Sequence, residues 1–171
     1  MHKRYYISDT HFAHANIITF RNDEGNLIRP FKTVEEMDEL MVENWNKKVR
    51  DVDTIVHLGD VTMNKKYLNI LSRLNGRKIL IRGNHDIFET KEYLKYFKEI
   101  RSYEILPAYG IIFSHIPIHT CQLEGRFKFN VHGHMHQNII DDKRYYNICV
   151  ENTNYNPLEK DEILMKLNGH V

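Results

Sequence analysis

Cysteine is nearly absent from this chain: Cys121 and Cys149 are the only two in 171 residues, far apart and outside any CxxC spacing. That disfavours a thiolate zinc site and a disulfide framework, and it points to a reduced, cytoplasmic setting. Proline and glycine are sparse too, at four and eight residues. With no linker-like stretch, low-complexity segment or repeat, residues 1–171 read as one domain, long enough to bury a proper core. No run approaches the ~18 apolar residues of a membrane span. The strand pattern starts directly after Met1-His2-Lys3, which leaves no room for a signal peptide. An excess of one charge is missing as well, since 24 Lys+Arg face 23 Asp+Glu for a net charge of +1. Such a surface exerts no general pull on nucleic acid or anionic lipid, so neither a membrane nor a long duplex is an expected partner. No GxSxG motif is present, which disfavours acyl transfer through a serine nucleophile.

Histidine, by contrast, is abundant, with eleven residues. Several stand where apolar runs stop. Lys78-Ile79-Leu80-Ile81 is followed by Gly83-Asn84-His85-Asp86, an amide, an imidazole and a carboxylate in succession. The design recurs: Tyr5-Tyr6-Ile7 leads to Asp9-Thr10-His11, and Ile55-Val56-His57-Leu58 leads to Gly59-Asp60. Ile111-Ile112-Phe113-Ser114 leads to His115, and Phe129-Asn130-Val131-His132 leads to Gly133-His134-Met135-His136. Ligands of open α/β sheets gather at the carboxyl ends of strands, where these five clusters fall.

The first half alternates apolar runs with helical patterns, as βαβ units do. Strands are expected at 4–8, 54–58 and 77–82. Thr33-Val34-Glu35-Glu36 reads as a capping box opening a helix to about Val49, with Met37, Leu40, Met41, Asn44, Trp45 and Lys48 on one face. Shorter helices are expected near 65–74, ended by Asn75-Gly76, and near 89–98. Beyond residue 100 the runs 101–106, 110–114, 127–132 and 144–150 crowd together, which points to antiparallel pairing, before a last helix near 157–167. Two packed mixed sheets flanked by helices follow, an α/β (α+β) architecture.

Asp9 and His11 are two apart, as are His134 and His136. In extended chain such pairs share a side, so each pair is expected to grip one ion. Gly59, Gly83 and Gly133 precede ligand residues where a sharp turn or close backbone approach is useful. Asp9, Asp60, His11, His115, His134, His136 and Asn84 are too many for one tetrahedral zinc and too rich in nitrogen for calcium or a lone magnesium. Two borderline divalent ions sharing a carboxylate would use them all. With two carboxylates and a bridging hydroxide they leave one positive charge, which favours an anionic, phosphate-like substrate.

Asp-x-His, Gly-Asp, Gly-Asn-His-Asp, His and Gly-His-x-His, in that order over residues 9–136, closely resemble the calcineurin-like metallophosphoesterase superfamily, and most of all its small single-domain members. The resemblance implies a four-layer sandwich. It also implies hydrolysis of phosphodiesters or phosphomonoesters of small molecules through a hydroxide bridging two metal ions. Asp9, His11 and His136 would hold the first ion, Asn84, His115 and His134 the second, with Asp60 between them. The ions would be Mn, Fe, Zn, Ni or Co. His85 would face the substrate, with Asn84, and protonate the departing oxygen as the catalytic acid. In the protein phosphatases of this superfamily a carboxylate three residues after the bridging Asp orients that histidine; here the position is Met63. Rival readings on the same fold are a non-catalytic interaction scaffold, which predicts lost ligands, and a nuclease of short oligonucleotides.

The remaining candidates divide. His14 and Asn16, just past the first motif, are placed to touch a substrate phosphate or to sit on the surface. His57 and His132 lie inside strands and are read as packing or support, Asp86 as a turn-shaping residue, and Trp45 as core. His119 is set aside, as are the terminal His2 and His170.

Overall fold

The computed structural model describes residues 2–169. His170 lies outside them, and His2 rests against the Thr54 hydroxyl at 3.0 Å. Four strands run parallel through one sheet: β1 (Arg4–Ile7), β2 (Thr54–His57), β3 (Arg77–Ile81) and β4 (Glu99–Arg101). A short β9 (Leu158–Glu159) adds antiparallel to β1, for the order β4-β3-β2-β1-β9. The second sheet has the order β5-β6-β7-β8, from β5 (Glu104–Leu106), β6 (Ile111–Ser114), β7 (Phe129–His132) and β8 (Tyr145–Asn147).

Alternation along β1 explains how the sheets stack. Tyr5 and Ile7 join Ile55 and Leu80 against α1 (Val34–Lys48), whose Met37, Met41 and Trp45 are fully buried. Tyr6 points the other way, with Val56, Ile79 and Ile81, into a core shared with Ile111, Phe113 and Val131 of the second sheet. Ile163 and Leu167 of α3 (Lys160–Asn168) close that core. The Tyr6 and Phe113 rings stack at 4.1 Å, a pairing worth about 0.5–1.5 kcal/mol beyond its buried area. Buried Glu104 clips the two sheets together, accepting from Tyr6 Oη (2.9 Å), Arg4 (2.6 Å) and Arg101 (2.6 Å). The result is two mixed sheets with flanking helices, the α/β sandwich the resemblance implies.

Five expectations need correction. In the second sheet only β5 and β6 pair antiparallel; β6, β7 and β8 are parallel. The crossovers between them are irregular chain with one 3-10 turn (Thr120–Leu123), so their spacing mimics that of hairpins. The run 101–106 is cut in two, Arg101 ending β4 in one sheet and Glu104 opening β5 in the other. Residues Lys65–Arg73 wind as a 3-10 helix, whose three-residue turn aligns Leu68, Leu71 and Leu74, all buried. The helix near 89–98 shrinks to α2 (Thr90–Tyr93), because Lys98 N–H is drawn to Lys78 O (2.8 Å) as β4 begins.

Thr33 does cap α1, accepting from Glu36 N, but the Glu36 carboxylate returns to Lys32 N (3.0 Å), one residue short of a capping box. The reciprocal box forms instead between Glu159 and Glu162 at the start of α3. Among the described residues no helix is long and apolar enough to cross a membrane.

Candidate metal centre

Five loops meet at the carboxyl ends of β1, β2, β3, β6 and β7, and backbone hydrogen bonds join them. Asp9 N–H donates to Gly59 O (3.0 Å), His11 N–H to Asp60 O (3.0 Å) and Gly133 N–H to His115 O (2.9 Å). Gly59 holds φ +99°, and a Cβ there would stand 2.5 Å from Gly83 N and 2.8 Å from His115 Nδ1. Only glycine lets the β2 and β3 loops approach so closely. The ligand residues are themselves bent: Asp9, His11, Asp60, His134 and His136 all have φ between +47° and +70°. Left-handed backbone costs these side chains roughly 1–2 kcal/mol each, so the fold concentrates strain where it presents donors. The pairs therefore do not share a side through extended chain, as their spacing implied; tight turns aim each residue separately.

The turns gather two groups. Asp9, His11 and His136 bring ligand atoms within 4.8 Å of one another, and so do Asp60, His115 and His134. His134 and His136 thus belong to different groups, which departs from the i, i+2 spacing argument and agrees with the grouping the resemblance implies. Asp60 stands between the groups, its Oδ2 3.6 Å from His11 Nε2 and 3.4 Å from His115 Nε2. Asn84 Oδ1 lies 2.8 Å from His115 Nε2 and 2.9 Å from His134 Nδ1, which joins the amide to the second group.

The donor atoms fit divalent ions. Asp9 Oδ1 and both His11 nitrogens are buried with no hydrogen-bond partner, which polar atoms in a packed interior rarely are unless a ligand satisfies them. Burial, and then the charge of Arg29, hold the His11 imidazole well below its ordinary pKa, in the neutral form that ligates. Burial pushes Asp60 up, but His115 and the His85 N–H outweigh it and leave this carboxylate at about 2. His115 donates Nδ1–H to Leu58 O (2.8 Å) and His136 donates Nδ1–H to Glu151 (2.8 Å), so each presents Nε2 to its group.

Residues that sequence reasoning missed hold the first group from behind. Asp9 Oδ2 accepts from Ser8 Oγ, from Cys149 Sγ (3.1 Å) and from His134 N (2.9 Å), which turns Oδ1 inward. Arg29, fully buried, donates to Asp9 O (2.6 Å), Thr10 O (2.9 Å) and Glu151 Oε1 (2.8 Å). Burial raises Glu151, and His136 with Arg29 reverses that and holds it at about 2. The one available signal was Cys149 and Glu151 following the last apolar run, as the other clusters follow theirs. Arg29, inside a polar loop, offered none.

Other predicted residues fall as follows. His85 is half-buried; its N–H donates to Asp60 Oδ1 (2.8 Å), and its ring meets the His11 ring edge-on at 5.7 Å. Among the described residues no carboxylate bonds to the His85 ring, and Met63 is exposed. His14 also meets His11 edge-on, at 5.9 Å, while Asn16 is exposed. Asp86 is structural, accepting from the amides of Asp60 (2.9 Å), Val61 (3.1 Å) and Gly83 (2.8 Å). Buried His57 accepts from Gly59 N (3.1 Å) and donates to Thr10 Oγ1 (3.0 Å); burial pushes it down to about 3, so it stays neutral. His132 is buried as well, and His119 is exposed, accepting from Cys121 N.

Comparison with known proteins agrees with this geometry. The family model described as calcineurin-like phosphoesterase matches residues 3–169. An uncharacterized protein of Methanocaldococcus jannaschii is 38% identical, over 96% of this chain and 90% of its own. The gene 66 protein of Mycobacterium phage L5 is 27% identical, over 82% and 80% respectively. Among solved structures, a protein of unknown function from Aquifex aeolicus superposes with a TM-score of 0.72 at 33% identity, covering 96% of this chain and 99% of its own.

Proposed function

The chain belongs to the calcineurin-like phosphoesterase family, and from that premise we propose that it is a metal-dependent hydrolase of phosphoric esters, acting on small phosphorylated substrates. One observation carries the reading: the Asp60 carboxylate stands between two groups of donors, and two buried donor atoms of the first, Asp9 Oδ1 and His11 Nε2, have no hydrogen-bond partner among the described residues. Asp9, His11 and His136 would hold one divalent ion and Asn84, His115 and His134 the other, with Asp60 shared. Manganese, iron, zinc, nickel and cobalt all suit this mixture of nitrogen and oxygen. Ions held there supply Lewis acidity and a water that is nucleophilic at neutral pH.

The protein's own residues do the rest. His85, anchored by its amide to Asp60, donates the proton to the departing ester oxygen. Because no carboxylate among the described residues orients its ring, this proton donor is less firmly positioned than in the protein phosphatases, and good leaving groups are favoured. His14, beside His11 at the rim, contacts the phosphate. A non-catalytic scaffold would tolerate loss of ligands, and all seven are present here.

The test is hydrolysis of p-nitrophenyl phosphate and of its bis ester after reconstitution with each metal. Activity on either supports the reading; inertness to both with every metal rejects it. His85→Ala is expected to slow a poor leaving group by about 10²-fold or more and a nitrophenolate far less. Equal losses on both would remove His85 as the acid.

A further inference from the structure

A cleft of about 370 Å³ opens beside the second donor group, between the carboxyl ends of β3 and β4 on one side and of β6 on the other. Its walls are Arg82, Gly83, Asn84, Ser102, Ser114, His115 and Ile116. Two of these, Asn84 and His115, belong to the candidate centre, whereas neither His85 nor any residue of the first group lines it. We infer that this cleft is the subsite for the second, retained ester group of a phosphodiester, so that the enzyme is a diesterase rather than a monoesterase. The inference rests on the phosphoesterase reading above and narrows it.

The geometry leads there by direction. With His85 as the acid proposed above, the leaving oxygen of a phosphate held between the two groups would face His85, which does not line the cleft. The cleft lies elsewhere, past Asn84 and His115, and only a second ester arm would enter it. A monoester has no such arm and would leave the cleft to water.

The wall chemistry says what that arm is. No carboxylate lines the cleft. Its one cation, Arg82, is committed to Asp86 O (2.7 Å), to Phe88 O and to Thr90 Oγ1 (3.5 Å), so it grips poorly for a second phosphate. Ser114 spends its proton on Ile116 O (2.7 Å) and accepts from Asn130 Nδ2 (2.9 Å), which leaves one lone pair for a donor on the ligand. Ser102 is exposed, and the Ile116 side chain is 52% exposed, a patch of apolar surface at the mouth. An uncharged group with hydroxyl or amide donors and a flat apolar face, of nucleoside or aryl size, matches these walls. Charge agrees: two divalent ions, two carboxylates and a hydroxide leave one positive charge. That matches a monoanionic diester better than a dianionic monoester, and Arg29 adds nothing because Glu151 neutralises it.

The test compares kcat/KM for bis(p-nitrophenyl) phosphate with that for p-nitrophenyl phosphate, in the metal-loaded protein. The parent is expected to favour the diester. Ser102→Trp, placed to fill the cleft from an exposed loop, is expected to lower the diester-to-monoester ratio at least tenfold. It should also weaken inhibition by diphenyl phosphate more than inhibition by phenyl phosphate. If Ser102→Trp lowers Tm, Ile116→Trp blocks the same cleft from the opposite wall. An unchanged ratio in a natively folded variant, or a parent that prefers the monoester, overturns the subsite and leaves the phosphoesterase reading standing. A parent inert to both esters brings down both.

Discussion

The two donor groups are built differently. Asp9 and His11 are buried, and two of the three first-group side chains are braced by something that is not a ligand, Asp9 by Ser8 and Cys149 and His136 by Glu151, while Arg29 holds the Asp9–Thr10 backbone. The second group is more open, with His134 and Asn84 exposed. Asn84 Oδ1 lies 2.8 Å from His115 Nε2 and 2.9 Å from His134 Nδ1, and the bracing from outside the group falls on His115, by Leu58 O. Buried, braced donors lose little freedom when they bind, whereas exposed donors must first be ordered. The first group should therefore hold its ion more tightly and exchange it more slowly. Under the proposed function Asp60, which stands between the groups, is shared by both and couples the two.

The largest effect should come from removing that coupling. Asp60→Asn keeps the shape and the acceptor for His85 N–H but loses the charge between the groups. Hydrolysis should fall by about 10³-fold, the several kcal/mol that a lost electrostatic stabiliser costs. Unchanged rates would show that the two groups work independently. Next, limited treatment with a chelator should leave one ion per chain, read by elemental analysis of the desalted protein. Simultaneous loss of both ions would break the asymmetry. Glu151→Ala should weaken the first ion by about 10–100-fold in a calorimetric titration and leave the second nearly unchanged. Glu151→Gln, which still accepts from His136 Nδ1, should recover much of that loss. If Gln fails as completely as Ala, the charge opposite Arg29 matters more than the orientation of His136.

The asymmetry also separates what was legible in the sequence from what was not. The donors themselves were, because each follows a strand buried on both faces, and such strands read as unbroken apolar runs. Their grouping was legible only through the resemblance: spacing alone put His134 with His136, and the left-handed turns at both residues separate them. The bracing was invisible. Arg29 and Glu151 are 122 residues apart, and no local pattern announces a buried ion pair between a polar loop and the turn after β8. The same limit hid the parallel pairing of β6, β7 and β8, since irregular crossovers leave no helical period to read.

The smallest effect concerns a carboxylate behind the first group. Asp38 on α1 is buried and accepts from Ala13 N (2.9 Å), in the loop that carries His11, while its Oδ1 has no partner. Burial pushes its pKa up to about 7. The folded protein therefore holds this proton more tightly than the unfolded chain does. Stability from this group is complete below about pH 4, falls as pH rises toward 7 and stays low above it. The ceiling on that loss is about 4 kcal/mol at pH 8. Asp38→Asn cannot ionise and keeps an acceptor for Ala13, but its buried amide hydrogens return about 1–3 kcal/mol of the gain. The net should be a stabilisation near 1 kcal/mol at pH 8, about 2–4 °C in Tm, that fades or reverses at pH 5. A Tm difference that does not vary between pH 5 and 8 would mean that Asp38 titrates as an ordinary carboxylate. The carboxylate would then be ionised throughout that range, its charge held against the loop behind His11 by the Ala13 N–H.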